Sequence, residues 1–208
     1  GIVGPWIHKY PHFAVPHPRI GFLQEALRWW DRWLKGIETG VENDPAMRLY
    51  VKDGLPPQTW YAERPGRWIA EYVWPSPDIV MRKLHLNGEN GLGSETDNFS
   101  MCISSAANCG GAAGEYCAIW LGPEMPGDQS GDDAMSVCFD GELLAQAQDI
   151  VGAPIVRLRL ISDKPMAQIA VRLCDVDESG ASSRITYGVL NLCHRSSHEF
   201  PERLEPGR

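Results

Sequence analysis

The sequence contains no apolar run approaching the ~20 residues a membrane-spanning helix needs. It has no surplus of positive charge: 27 Asp and Glu stand against 19 Lys and Arg, for a net charge of −8. That balance disfavours nucleic acid and anionic lipid as partners, because phosphate recognition wants a basic face. No C-x-x-C occurs among the six cysteines, so a structural zinc site lacks its usual spacing. No G-x-S-x-G is present, and Ser104, Ser105, Ser130, Ser182 and Ser183 lack the glycines of a nucleophile elbow. Phosphate-cradling and dinucleotide-binding glycine loops are also missing, as are internal repeats and low-complexity tracts. No basic-then-apolar leader opens the chain. The cysteines are therefore expected to be reduced and the compartment cytoplasmic. Cys138, Cys174 and Cys193 sit in strand-like runs and are expected to be small core residues, whereas Cys102, Cys109 and Cys117 lie in a Gly/Ala/Ser-rich stretch and are the ones placed to form a disulfide as the alternative.

What is present begins with GIVGPWIHKYPHF, a short apolar strand running into a Gly-Pro-Trp corner and a histidine. Residues 20–37 follow, IGFLQEALRWWDRWLKGI. Leu23, Leu27, Trp30, Leu34 and Ile37 recur at spacings of four and three, which predicts one helical stripe. Glu25, Arg28, Asp31, Arg32 and Lys35 fill the opposite face. Trp29 and Trp33 widen the apolar side, so the helix is expected to be buried on a broad face. Gly36 or Gly40 can end it. A lone strand and helix cannot bury their own faces and need the rest of an α/β layer.

After Pro45 the pattern is β. MRLYV, a run within YAERPGRWIAEYVWPSP, and RKLHLN read as short strands. Residues 88–131 form a long Gly/Ser/Ala/Asn-rich connection, with a short strand expected near Cys117–Leu121. In IVRLRLIS, Val156, Leu158 and Leu160 alternate with Arg157 and Arg159. In AQIAVRLCDV, Ile169, Val171 and Leu173 alternate with Gln168 and Arg172. RITYGVLN follows after a turn. Period-two runs between turn residues predict an antiparallel sheet with one wet face, as in a β-sandwich or jelly roll.

Several constellations could carry chemistry. His8, His12 and His17 lie in a loop whose prolines at 11, 16 and 18 break any helix that could align the rings on a metal. His8 stands apart because it closely follows a strand, and open α/β sheets place their chemistry just past strand C-termini. Asp175–Gly180 imitates half of a calcium loop but lacks the bidentate Glu and helical flanks, so a hairpin turn is expected. The acidic loop PGDQSGDD, with Asp128, Gln129, Asp132 and Asp133, is expected to be structural, with a cation contact or an interdomain surface as alternatives.

GPWIH followed by IGFLQEALRWWDRWLKGIETGVENDPAMRLYVKDG resembles the end of the α/β-hydrolase domain in the cocaine-esterase-like (CocE/NonD) serine hydrolases, a group that includes X-Pro dipeptidyl-peptidases. PGDQSGDD and VGAPIVRLRLISDKPMAQIAVRLCDVDESGASSRITYGVLN resemble the group's C-terminal jelly roll. The resemblance implies a mainly β fold: a jelly-roll (galactose-binding-like) β-sandwich at 46–208, preceded at 1–45 by the last strand and helix of an α/β-hydrolase domain. It makes His8 the base of a Ser-Asp-His triad whose Ser and Asp lie upstream of Gly1. The chain is then expected to be a fragment, inactive alone, with the missing hydrolase domain as its partner. Its substrate in the whole enzyme would be a small acyl ester or a peptide cleaved after proline. No cofactor and no metal are implied. The sandwich would shape the active-site cleft or oligomer contacts, and residues 1–40 are expected to expose apolar surface and promote self-association. The competing expectation is a non-catalytic β-sandwich that binds carbohydrate or peptide on Trp60, Trp68 and Trp74.

Overall fold

The computed structural model describes residues 1–112 and 125–208. The strand expected near Cys117–Leu121 lies outside them. The fold is mainly β, built from small sheets with one long helix. Strand β1 (Ile2–Val3) leads through a loop at 4–21 into helix α1 (Phe22–Lys35), then a 3-10 turn at Val41–Asn43, strand β2 (Met47–Lys52) and strand β3 (Gly66–Glu71). β1 pairs parallel with β2, Ile2 opposite Arg48, and β2 pairs antiparallel with β3 from Met47↔Glu71 to Lys52↔Gly66. Parallel neighbours need a crossover, and α1 supplies it.

α1 ends where the sequence provides a stop. Gly36 takes the left-handed conformation, and the N–H groups of Gly36 and Ile37 donate to the carbonyls of Arg32 and Asp31. Glu25 in the first turn and Arg32 and Lys35 in the last suit the helix dipole. The expected burial of a broad apolar side is not found. No residue of α1 is buried; Leu23 and Leu27 are each 57% exposed and Leu34 74%. The helix instead turns its charged face to its own sheet, where Glu25 meets Arg48 of β2, while Arg28 meets Asp44 in the connection just before that strand.

A second sheet joins β4 (His85–Leu86), β5 (Gly91–Gly93) and β6 (Asp140–Gly141). Of the strand expected across RKLHLN, only the last part enters a ladder. A third sheet is the hairpin of β7 (Gln168–Val176) and β8 (Ser182–Asn191), with a register shift between Leu173 and Cys174. Its connection is the turn expected at Asp175–Gly180. Asp177 Oδ1 accepts from the N–H groups of Ser179 and Ala181 and from the Ser179 hydroxyl. IVRLRLIS, expected to be a strand, joins no ladder among the described residues, and Ile155, Val156 and Ile161 are more than half exposed. Alternation prepares a segment for pairing but does not supply its neighbour.

The core is thin. Ala14, Val41, Leu49, Leu192 and Cys193 are the buried hydrophobic residues among those described. The chain exposes 15288 Å2, where a compact protein of its mass would expose about 9,700 Å2.

Candidate functional site

Two regions carry the residues that the sequence singles out. The first is the loop after β1. Pro5 is buried, and Trp6 Nε1 donates to the Pro18 carbonyl at 2.7 Å. The Trp6 ring lies 6.1 Å from that of Trp68, which meets Tyr50 edge-on at 5.2 Å. A Cβ at Gly4 would fall 2.5 Å from the Trp6 ring, so only glycine lets the corner fold this tightly. Farther along, Ile7 N–H donates to the Val15 carbonyl, Arg19 Nε caps the Ala14 carbonyl at 2.9 Å, and Ala14 and Pro16 are fully buried beneath. His17 is bridged to the segment before β3 through Ala62 and Arg64. The loop is thus pinned on both sides, and His8 stands exposed at its lip, five residues past the end of β1.

The three loop histidines do not converge. His12 is absorbed in an aromatic cluster, stacked on Phe22 at 6.0 Å and edge-on to Phe13 at 4.6 Å. His17 is held by its backbone in the bridge. Among the described residues no group of three His, Cys, Asp or Glu is placed to hold a metal ion.

Beside this loop, Glu25 of α1 receives a two-pronged contact from Arg48 of β2, both bonds at 2.9 Å. Arg28 donates to Glu25 at 3.1 Å and also pairs with Asp44. The Arg48 fork, helped by Arg28, holds the Glu25 carboxyl down to about 2. A cleft of about 300 Å3 opens between helix and sheet, bounded by Ile2, Ile20, Glu25, Arg48 and Trp68.

The second region is PGDQSGDD. Helix α2 (Ser130–Asp133) is a single turn, yet Gln129 and Asp132 are fully buried. Asp128 Oδ1 accepts from the Ser130 N–H at 2.9 Å and the Ser182 N–H at 3.0 Å, which ties the loop to β8 and lowers the Asp128 pKa. Asp132 Oδ1 accepts from the N–H groups of Gly110 and Ala112. Arg172 of β7 reaches in with one nitrogen 2.8 Å from Asp133 Oδ1 and the other 3.8 Å from Asp132 Oδ2. It also donates to Gln129 Oε1 and Ser136 Oγ. The 110–112 segment, β7 and β8 therefore all fasten onto this loop, β7 through Arg172. Burial pushes the nearby thiols of Cys138 and Cys174 upward, so both stay protonated and poorly nucleophilic at neutral pH. The loop is a structural knot: backbone N–H groups meet Oδ1 of the buried Asp132, and the Arg172 guanidinium bonds Asp133 and lies 3.8 Å from Asp132 Oδ2.

The sequence had placed Arg172 on the wet face of its strand. The usable signal was the need of two adjacent acids for a counter-charge. The Glu25–Arg48 pair was likewise missed, since period alone does not say which face of a helix meets its sheet. Of Trp60, Trp68 and Trp74, all of which remain exposed, Trp68 also packs against Trp6 and Tyr50.

Residues 39–208 match the family described as the X-Pro dipeptidyl-peptidase C-terminal non-catalytic domain. The chain is also similar to a cocaine esterase of Rhodococcus sp. (strain MB1 Bresler), with 22% identity over 231 residues, covering 99% of this chain and 38% of that protein. To a Xaa-Pro dipeptidyl-peptidase of Lactobacillus delbrueckii subsp. lactis the identity is 25% over 187 residues, covering 87% of this chain and 22% of that one. The chain thus spans well under half the length of either relative. No helix among the described residues is long and apolar enough to cross a membrane.

Proposed function

We infer the function from one premise: this chain belongs to the family of X-Pro dipeptidyl-peptidase C-terminal non-catalytic domains. Most of its length, 46–208, is the non-catalytic part of a serine hydrolase and folds as a jelly-roll sandwich. Residues 1–45 are the closing strand and helix of the hydrolase domain, and they bring His8 with them. The parallel pairing of β1 with β2 through α1 supports this division of labour, since it ties the histidine loop to the start of the β-rich part.

The substrate of the whole enzyme is a small acyl ester or a peptide cleaved after proline. This reading rests on the names of the two relatives and is a proposal for this chain. His8 takes the proton of a serine hydroxyl as that oxygen attacks the carbonyl, then returns it to the leaving group as the acyl-enzyme forms. Water repeats the cycle to release the acid. The serine and the aspartate that orients the imidazole come from the hydrolase domain. One observation carries the reading: an exposed histidine, just past a strand end, on a loop pinned by Trp6 and buried Pro16. A pinned loop holds a general base in place without covering it.

The test is His8→Ala in a protein extended upstream of Gly1 to include the hydrolase domain, assayed on a nitrophenyl ester. Loss of roughly 10^3-fold or more in kcat, with KM little changed, is expected. A variant retaining more than a tenth of wild-type kcat would remove His8 from the mechanism.

A further inference from the structure

The loop that carries His8 doubles back on itself, and both of its limbs are held by residues that lie outside it. Within the loop, the Trp6 indole N–H donates to the Pro18 carbonyl and the Ile7 N–H to the Val15 carbonyl at 3.0 Å. The outer fastenings come from the segment matched to the non-catalytic family. On the outgoing limb, the Trp6 ring packs against Trp68 of β3. On the returning limb, the His17 N–H donates to the Ala62 carbonyl at 2.8 Å, and the His17 carbonyl accepts from the Arg64 N–H at 3.1 Å. Tyr50 of β2 serves both fastenings at once. Its ring meets Trp68 edge-on at 5.2 Å, and its hydroxyl donates to the Arg64 carbonyl at 2.8 Å. The strand that launches the loop pairs with β2 as well. The start of the loop and its two limbs are thus all referred to one six-residue antiparallel pair, β2–β3. None of these contacts depends on what lies against α1.

We propose that Tyr50 and Trp68 are positioning residues for His8, through which the non-catalytic domain sets where the imidazole stands. The inference rests on the proposed role of His8 as the base. A general base has to stand within hydrogen-bond reach of the hydroxyl it deprotonates, and a displacement of about 1 Å can cost on the order of 100-fold in rate. His8 sits at the exposed lip of its loop. Its place is therefore set by how firmly residues 6 and 17 on either side are held. Trp68 fixes the first and the 62–64 segment the second. Tyr50 makes the two fastenings one unit, so loosening either should let the lip swing.

Steady-state kinetics on a nitrophenyl ester, with hydrogen exchange on the same protein, tests this in the protein extended upstream of Gly1 and at a temperature where every variant stays folded by far-UV dichroism. Tyr50→Phe deletes only the hydroxyl and is expected to lower kcat about tenfold, and Trp68→Leu on the order of 100-fold, each with KM within about twofold of wild type. Trp68→Phe restores a ring and is expected to recover most of that loss. The Ile7 and His17 amides are expected to exchange about tenfold faster or more in Tyr50→Phe and Trp68→Leu, with the β7–β8 amides unchanged. A side chain that only stabilises the fold would speed exchange at β7–β8 too and leave the kcat of the folded protein alone. Three results would overturn the proposal: wild-type kcat in Trp68→Leu while His8→Ala is inactive, a loss carried by KM alone, or exchange that rises equally at β7–β8. Activity surviving His8→Ala would overturn the reading of His8 itself, and this inference with it.

Discussion

The α1–β2 contact and the α2–β7 contact use the same chemistry at different depths. In each, an arginine from a strand reaches carboxylates on a helical turn. Arg48 and Glu25 are about one-third exposed at their side chains, whereas Arg172 is 18% exposed and Asp132 not at all. Depth decides what each contact does. In water-accessible surroundings an ion pair adds little and is screened. In a buried site its rupture leaves an unpaired charge, which is far more costly than the pair was favourable. The first contact sets which face of α1 looks outward. The second holds the β7–β8 hairpin to the loop at 126–138.

The sharpest way to break that comparison is Arg172→Ala. It leaves the Asp132 and Asp133 carboxylates without their cation and should cost about 3–5 kcal/mol, read as a fall in the urea midpoint. If the loss is no larger than that from Arg48→Ala, depth is not the deciding variable. Next comes Gly66→Ala at the β2–β3 end of the first region. The added Cβ would lie 2.2 Å from the Val51 carbonyl oxygen, so a loss of about 2–3 kcal/mol is expected, with the β2–β3 amides exchanging faster than those of β7–β8.

Glu25→Gln should cost only about 0.5–1 kcal/mol, and its effect should shrink in high salt, whereas that of Arg172→Ala should not. The pH dependence follows the same sign. The folded Glu25 carboxyl is held down to about 2 from an ordinary 4.5, so its contribution is fully present above pH 4.5 and is lost as pH falls toward 2. Wild type and Glu25→Gln should therefore converge in stability across that window; a gap that stays constant from pH 6 to 2.5 contradicts the assignment. The smallest effect is on thiols. Cys102 is exposed while burial raises Cys138 and Cys174, so a thiol reagent should modify Cys102 roughly tenfold faster, as mapped by peptide mass.

The parts of this molecule that were legible in the sequence are those governed by local period and turn chemistry. The alternation of Ile169, Val171 and Leu173 marks β7, and the Asp177 turn marks where it reverses. The 4-3-4 stripe marks α1, and Gly36 marks its end. What period cannot reveal is the partner. Val156, Leu158 and Leu160 alternate as well as any strand here and still join no ladder among the described residues. The stripe on α1 says that one face wants cover, but only the positions of Arg48 and Asp44 show that the other face has already claimed the sheet. Arg172 looked like one more polar residue on a wet face because its carboxylates lie about forty residues away in sequence. His8 is singled out by its place after β1 and by the GPWIH resemblance; the fold adds that it is exposed on a pinned loop.

The central proposal is that His8 is the base of a serine hydrolase whose nucleophile is none of the serines of residues 1–208. Intact-mass spectrometry after treatment with a fluorophosphonate tests it most directly. The account predicts no stoichiometric adduct on the 208-residue chain, and a single adduct on a protein extended through the hydrolase domain, on a serine upstream of Gly1. A single stoichiometric adduct on one of the chain's own serines would contradict it.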